Sequence, residues 1–193
     1  MGFLAAVTRQ EAAAASLAIE QVERILGTTR DFSGLNLVGL DLSGRDLSGV
    51  NLDGTSLMNA VLRDADLSGA SMLKTNLSGA DLRGARLSGV NFKDGFLDGA
   101  NLAGAHGADA NLFCVSFNGA NLQGVSFPNG EFGEAHFNNA NLTGAILTGA
   151  RLNKTNFEGA DIAGADLTGA DFEAVKNLDK AVGADRAIGL PGR

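Results

Sequence analysis

The chain has 193 residues, with 22 acidic against 15 basic side chains, a net charge of −7 and 45% hydrophobic content. That is enough apolar matter for one buried core, and the charge excess is too small for a disordered polyanion. A single cysteine excludes an internal disulfide and any multi-cysteine metal site, and no stretch approaches the ~20 apolar residues of a membrane helix. Against only 2 prolines, the 27 glycines point to a backbone that needs positive φ at many regular places.

In chain order, Thr8-Arg9-Gln10-Glu11 has the form of a capping box, and Ala12 to Leu26 is built of strong helix formers. Leu17, Val22, Ile25 and Leu26 fall on one side of that stretch, and Gly27 is a natural stop. Residues 1–27 are therefore expected to form an N-terminal cap helix. No basic region precedes a hydrophobic run here, since Arg9 and Glu11 interrupt it, so the expected location is the cytoplasm.

From Phe32 to Phe172 every fifth residue forms an apolar series: of 29 positions, 18 are Leu, eight are Phe, and Met72, Ile162 and Gly107 complete the set. Two residues before these centres stand 16 Ala, four Val and three Thr, small enough to share an interior with them. Two residues after them, 24 of 28 sites hold Gly, Asn or Asp, the residues that tolerate the left-handed position of a type II turn. Each pentapeptide therefore ends in a turn. Four of them close a square coil of about 20 residues, and about seven coils stack at the ~4.8 Å strand spacing into a rod of roughly 35 Å. The repeat region spans 28–175, and since no repeat changes length the rod is expected to be uninterrupted from about Phe32 to Phe172. Beyond it the period dissolves, and residues 176–193 are expected to form a C-terminal cap, one short helix and a tail.

Segments such as Ala65-Asp66-Leu67-Ser68-Gly69, Ala80-Asp81-Leu82-Arg83-Gly84 and Ala165-Asp166-Leu167-Thr168-Gly169 closely resemble the A(D/N)LXX motif of the pentapeptide-repeat family. The resemblance covers about three quarters of the chain. It implies an all-β solenoid, the right-handed quadrilateral β-helix of that family, and a surface that binds proteins rather than a catalyst.

Three interior or columnar expectations follow from the repeat. Gly107 interrupts a column of Leu and should leave a local void, partly filled by Phe127 from above. Arg45 stands where Ala65 and Ala85 stand in later coils, and should reach down to the carbonyls closing the cap helix near Ile25 to Gly27. The column Asp81, Asn101, Asn121, Asn141, Asp161 should form an amide ladder, because stacked carboxylates ~5 Å apart would repel.

Catalytic, metal and cofactor sites are not expected. His106 and His136 fall on outward positions of different faces and cannot share a metal or a proton. No Gly-Lys-Ser/Thr terminus leads into a helix, so the glycines are not a phosphate loop.

Two deviations from the repeat mark candidate surfaces. At one corner Lys74, Asp94, Cys114, Glu134 and Lys154 replace glycine, so that edge is expected to turn differently. Leu73, Phe96 and Phe113 lie beside it and are the candidate partner-binding residues, for a protein partner or a second copy of the rod. The other deviation is charge: residues 94–175 carry ten acids against Arg151 and Lys154. Asp161, Asp166 and Asp171 are the candidate acidic face. The resemblance adds an alternative partner for such a surface, DNA gyrase or another topoisomerase, which the fluoroquinolone-resistance branch of the family binds as a DNA mimic. Nucleic acid itself is not an expected ligand of this segment, nor is a membrane.

Overall fold

The computed structural model describes residues 17–192. From Asp31 onward the chain winds as a right-handed, four-sided β-helix. Parallel bridges run from Asp31↔Asn51 to Arg151↔Asp171, each joining residues 20 apart, with no projecting loop among them. A slip of one residue would turn a core Leu outward, which is why the register holds throughout. The N–H of each centre donates to the coil ahead (Phe32 N to Asn51 O, 2.7 Å), and the N–H just before it donates to the coil behind (Asn51 N to Arg30 O, 3.0 Å). We number the sides by their centres: side 1 carries Phe32 and Leu52, side 2 Leu37 and Leu57, side 3 Leu42 and Leu62, side 4 Leu47 and Leu67, each continuing at every twentieth residue.

The core is filled by complementary volumes. Phe117, Phe137 and Phe157 stack along side 2 with ring centroids 4.8 and 5.4 Å apart, close to the strand spacing itself. Phe127 meets Phe132 edge-on from side 4, at 6.0 Å. Where a ring is large, the adjacent inward position shrinks: a Cβ on Gly95 would sit 2.6 Å from Phe92, and one on Gly130 2.7 Å from Phe132. Gly107 follows the same rule and leaves no room to fill. A Cβ there would lie 2.0 Å from Cε1 of Phe127, whose ring occupies the place of the missing side chain. Thr55, Thr75 and Thr155 are buried, and their hydroxyls donate to the carbonyls of Phe32, Leu52 and Phe132 one coil below. That satisfies groups whose burial would otherwise be costly.

The lower end is covered by α1, Ile19–Leu26. Leu17 and Ala18 precede it outside the helix: Ala18 is extended, the Leu17 N–H donates to Asn36 O of the first coil, and Gln21 Oε1 accepts from Ala18 N. The expected capping box at Thr8 to Glu11 lies outside the described residues. Val22 and Leu17 are buried, with Ile19, Ile25 and Leu26 packed beside them. Arg45 pins this lid, though to a different group than expected. Its guanidinium pairs with the Glu23 carboxylate, because the carbonyls of Glu23, Arg24 and Ile25 are already taken by Gly27 N, the Thr28 hydroxyl and Arg30 N. Arg45 Nε is buried without a hydrogen-bond partner.

At the upper end the ladder continues through Asn156↔Lys176, Asp161↔Val182 and Asp166↔Ile188. The step has lengthened from five to six, and the two extra residues are absorbed by 3₁₀ turns at Leu178–Lys180 and Ala184–Arg186. The helical cap is thus two such turns riding on a further partial coil instead of one helix and a tail. Leu190 is buried against it.

Candidate functional site

The corner between sides 1 and 2 turns like every other corner. Lys74, Asp94, Cys114, Glu134 and Lys154 have φ between 55° and 59°, in the left-handed region where Gly34 and Gly54 also lie. The expectation of a different turn is overturned because the ladder dictates the backbone there. Each of these N–H groups donates to the next coil, from Lys74 N to Lys93 O at 3.0 Å to Lys154 N to Glu173 O at 2.8 Å. Side chains with a Cβ accept a left-handed conformation costing of the order of 1 kcal/mol so that those bonds are kept. The outward column they form is charged: Lys154 Nζ bonds Glu134 Oε1 at 3.0 Å. Cys114 is exposed, and partial desolvation of its thiol together with the nearby Asp94 and Glu134 carboxylates pushes its pKa up.

Leu73, Phe96 and Phe113 surround this corner without forming one apolar edge. Phe96 is the most exposed phenylalanine among the described residues, at 46%, and stands on side 2. Phe113 is half-buried on side 1, with Lys93 Nζ 5.3 Å above its ring and its Cδ2 nested where a Cβ on Gly133 would be. Leu73 is also half-buried. Gly133 is the only glycine directly following a centre, and it lets Phe113 lie against the rod.

Beside Phe113, side 1 carries two shallow depressions. One of about 510 Å³ is walled by Phe113, Lys93, Asn153 and Glu173, and one of about 380 Å³ by Asp109, Asn129 and Gly149. They share Asn111, Glu131 and Arg151, with Arg151 Nη1 bonded to Glu131 Oε2 at 3.0 Å. Of the lining residues, Phe113 and Asp171 were identified from sequence and the shared Asn111, Glu131 and Arg151 were not; the lone outward glycine at 133 was the available signal.

The acidic trio does not share a face. Asp161, Asp166 and Asp171 lie on sides 3, 4 and 1 of one coil, because a step of five residues is a step of one side. Each Oδ1 accepts the backbone N–H two residues on, from Ala163, Thr168 and Glu173. The Thr168 hydroxyl further holds the Asp166 carboxyl below the usual carboxylate range. The same architecture recurs at Asp41, Asp46 and Asp66, each lowered mainly by the serine two residues on.

His106 and His136 are exposed on sides 4 and 2, opposite flanks of the rod. Among the described residues no group of His, Cys, Asp and Glu is arranged to hold a metal, and no helix is long and apolar enough to cross a membrane. The amide ladder forms as expected: Asn121 Nδ2 donates to Asn101 Oδ1 at 3.1 Å and Asn141 Nδ2 to Asn121 Oδ1 at 3.3 Å.

The chain was compared with known proteins. The pentapeptide-repeats family profile matches in 8 copies, over residues 31–64, 55–94, 97–127 and 135–173. Curated proteins contain no match. Among solved structures, the chain is similar to HetL, a pentapeptide repeat protein involved in heterocyst differentiation regulation from the cyanobacterium Nostoc sp. strain PCC 7120. They share 24% identity over 93% of this chain and 99% of that one, with a TM-score of 0.48. It is similar also to QnrB1, a plasmid-mediated fluoroquinolone resistance protein, at 21% identity over 74% of this chain and 89% of that one, with a TM-score of 0.45. A third is a pentapeptide repeat protein of the Arabidopsis thaliana thylakoid lumen, at 26% identity over 76% of this chain and 72% of that one, with a TM-score of 0.34. With its repeats matched over more than half its length and wound into the four-sided coil, the chain belongs to the pentapeptide-repeat family.

Proposed function

We propose that this protein is a non-catalytic scaffold of the cytoplasm that binds another protein across the side 1 to side 2 corner. The observation that carries the reading is the juxtaposition of Phe113 with the 510 Å³ depression on side 1, while Phe96 projects round the corner. An aromatic wall beside Glu131, Asp171 and Glu173 suits a partner segment that brings both an apolar anchor and a basic side chain. A second reading, a DNA-like acidic surface toward gyrase, draws on the −8 net charge of residues 94–175. It is the weaker one, since Glu131, Glu134 and Glu158 are each paired with a cation and the Asp trio is spread over three sides.

The test is a partner recovered from the native extract and then titrated against variants. Phe96→Ala with Phe113→Ala should weaken it by ~2 kcal/mol or more, whereas neutralising Asp161 and Asp166, which lie away from the depression on sides 3 and 4, should leave it within a few-fold. Binding that survives the aromatic pair and collapses on neutralisation or in high salt favours the acidic reading, as would inhibition of gyrase supercoiling.

A further inference from the structure

Side 3 has a symmetry that the other sides lack. Its outward column is centred on Asn121, flanked one coil away by Asn101 and Asn141, two coils away by Asp81 and Asp161, and three coils away by Val61 and Val182. Over these seven rungs the column reads the same upward or downward, valine, aspartate, three asparagines, aspartate, valine; Asp41, one coil below Val61, has no counterpart above Val182. The step of six that carries the chain from Lys176 to Val182 is what places the last valine in register.

A closed two-fold interface requires this kind of self-complementarity, since each residue must suit the partner residue at its mirror position in the column. We propose that side 3 is a self-association surface on which a second copy of this chain lies antiparallel, with the two-fold axis through Asn121. Asn121 then faces its own copy, and Asn101 faces Asn141. Gln123, the next outward residue, also meets its copy, and a primary amide both donates and accepts. Val61 meets Val182, which is 55% exposed in the single rod.

The aspartate level decides the sign of the interaction. Two bare carboxylates facing each other would repel, but Asp81 is clasped by Arg63 Nε at 2.6 Å and Arg83 Nη2 at 2.8 Å. The clasp carries a net positive charge and faces Asp161, which has the Ala163 N–H for a donor. The residue opposite the long Arg83 is the small Ala163, against which Gly183 of the cap lies. The attraction occurs twice, once at each end of the two-fold.

Charge elsewhere argues for the same occupant. Over the three asparagine coils side 3 carries no Asp, Glu, Lys or Arg, in a chain with 22 acids and a net charge of −7. Side 1 carries Glu131 and side 2 carries Asp98 and Glu158, so two copies approaching on those flanks bring like charges together; on side 3, as on side 4 with His106, Ser126 and Ile146, they do not. Depletion of charge at the centre of the patch is the compositional mark of an interface. Seven rungs span only ~29 Å, and one flat side covers well under the ~800 Å² per partner of a standard interface. The dimer is therefore weak and concentration-dependent, and it leaves side 1, on the opposite flank, open to another protein.

The test is sedimentation velocity on the full chain up to about 1 mM, where an interface of this size populates. The native chain should pass from monomer to dimer. Asn121→Lys, which places two cations on the axis, should raise the dissociation constant about tenfold or more. Two double variants remove the same amides and so share any effect on the ladder within one rod. Asn101→Lys with Asn141→Lys should be monomeric, whereas Asn101→Lys with Asn141→Glu, which pairs opposite charges only across the antiparallel interface, should dimerise at least as tightly as native. A native chain that stays monomeric throughout, or two double variants that behave alike, overturns the proposal.

Discussion

Gly107 and Phe127 give the sharpest test of how the core is packed. A void at Gly107 would make Gly107→Leu stabilising, as any filled cavity is. The structure gives the opposite sign, because a Cβ would sit 2.0 and 2.3 Å from two carbons of the Phe127 ring. Gly107 lies outside the left-handed region, so the backbone itself tolerates a side chain and the cost is purely steric. Overpacking of this kind costs about 1–3 kcal/mol, or roughly 3–10 °C in Tm for a chain of this size. Phe127→Leu alone should cost a similar amount by opening the space the ring now fills. Combining the two rebuilds the leucine column seen at Leu67, Leu87 and Leu147, and should recover most of the loss, a coupling of about 1–3 kcal/mol. Urea melts followed by circular dichroism on the four members of the cycle provide the measurement. Additive effects, or a gain in stability from Gly107→Leu alone, would refute the reasoning.

Lys74→Gly should stabilise the rod by about 0.5–1 kcal/mol, since it relieves a left-handed residue at φ 55° that has no ion pair to lose; a lower melting temperature would contradict this. Arg45→Ala should raise hydrogen exchange throughout α1 while leaving exchange in the upper coils unchanged, and uniform destabilisation would rule out a local pin. The Asp81 carboxyl is held well below the usual range by Arg83 and Arg63. Its contribution to stability is therefore present above the ordinary carboxylate pKa of about 4 and is lost as the pH falls below it. Asp81→Asn should flatten the acid limb of the melting curve, and an unchanged limb would show that the pair contributes nothing. Cys114, whose thiol pKa is raised by partial desolvation, Asp94 and Glu134, should react slowly with iodoacetamide at neutral pH; Asp94→Asn with Glu134→Gln should speed it several-fold, and no change would remove those carboxylates as the cause.

The parts of the fold legible in the sequence were those set by spacing alone. Phe32 to Phe172 point inward because a step of five residues is one side of the coil, and no tertiary context alters that. What spacing alone does not reveal is how far a side chain reaches. Phe127 leans into the coil below and erases the gap at Gly107, and Arg45 pairs with the Glu23 carboxylate, while the carbonyls of Glu23, Arg24 and Ile25 are bonded to Gly27, Thr28 and Arg30. Local preference also loses to the ladder. Lys74 and Glu134 disfavour positive φ, yet the hydrogen bond that each N–H gives to the next coil holds them there. At the upper end, Val182 and Ile188 continue the bridges with a period of six, which a search at five does not register. For the candidate site, Phe96 was visible as an outward aromatic. The cover that Lys93 gives the Phe113 ring, and the depressions around Arg151, depend on side-chain conformations that only the assembled rod defines.

The ladder has a consequence for how the chain folds. Its inter-coil backbone bonds join residues 19 to 21 apart, as in Phe32 N to Asn51 O and Asn51 N to Arg30 O, and this separation stays nearly constant up to the C-terminal cap. Although the protein is built of β-bridges, its mean contact separation is thus about one tenth of its length, the range of helical bundles. Each new coil needs only the one already made as a template. During synthesis at ~5–20 residues per second, a coil can be added every one to four seconds. The growing rod therefore always exposes one unfinished edge and never more, with α1 closing the first edge before the last has left the ribosome.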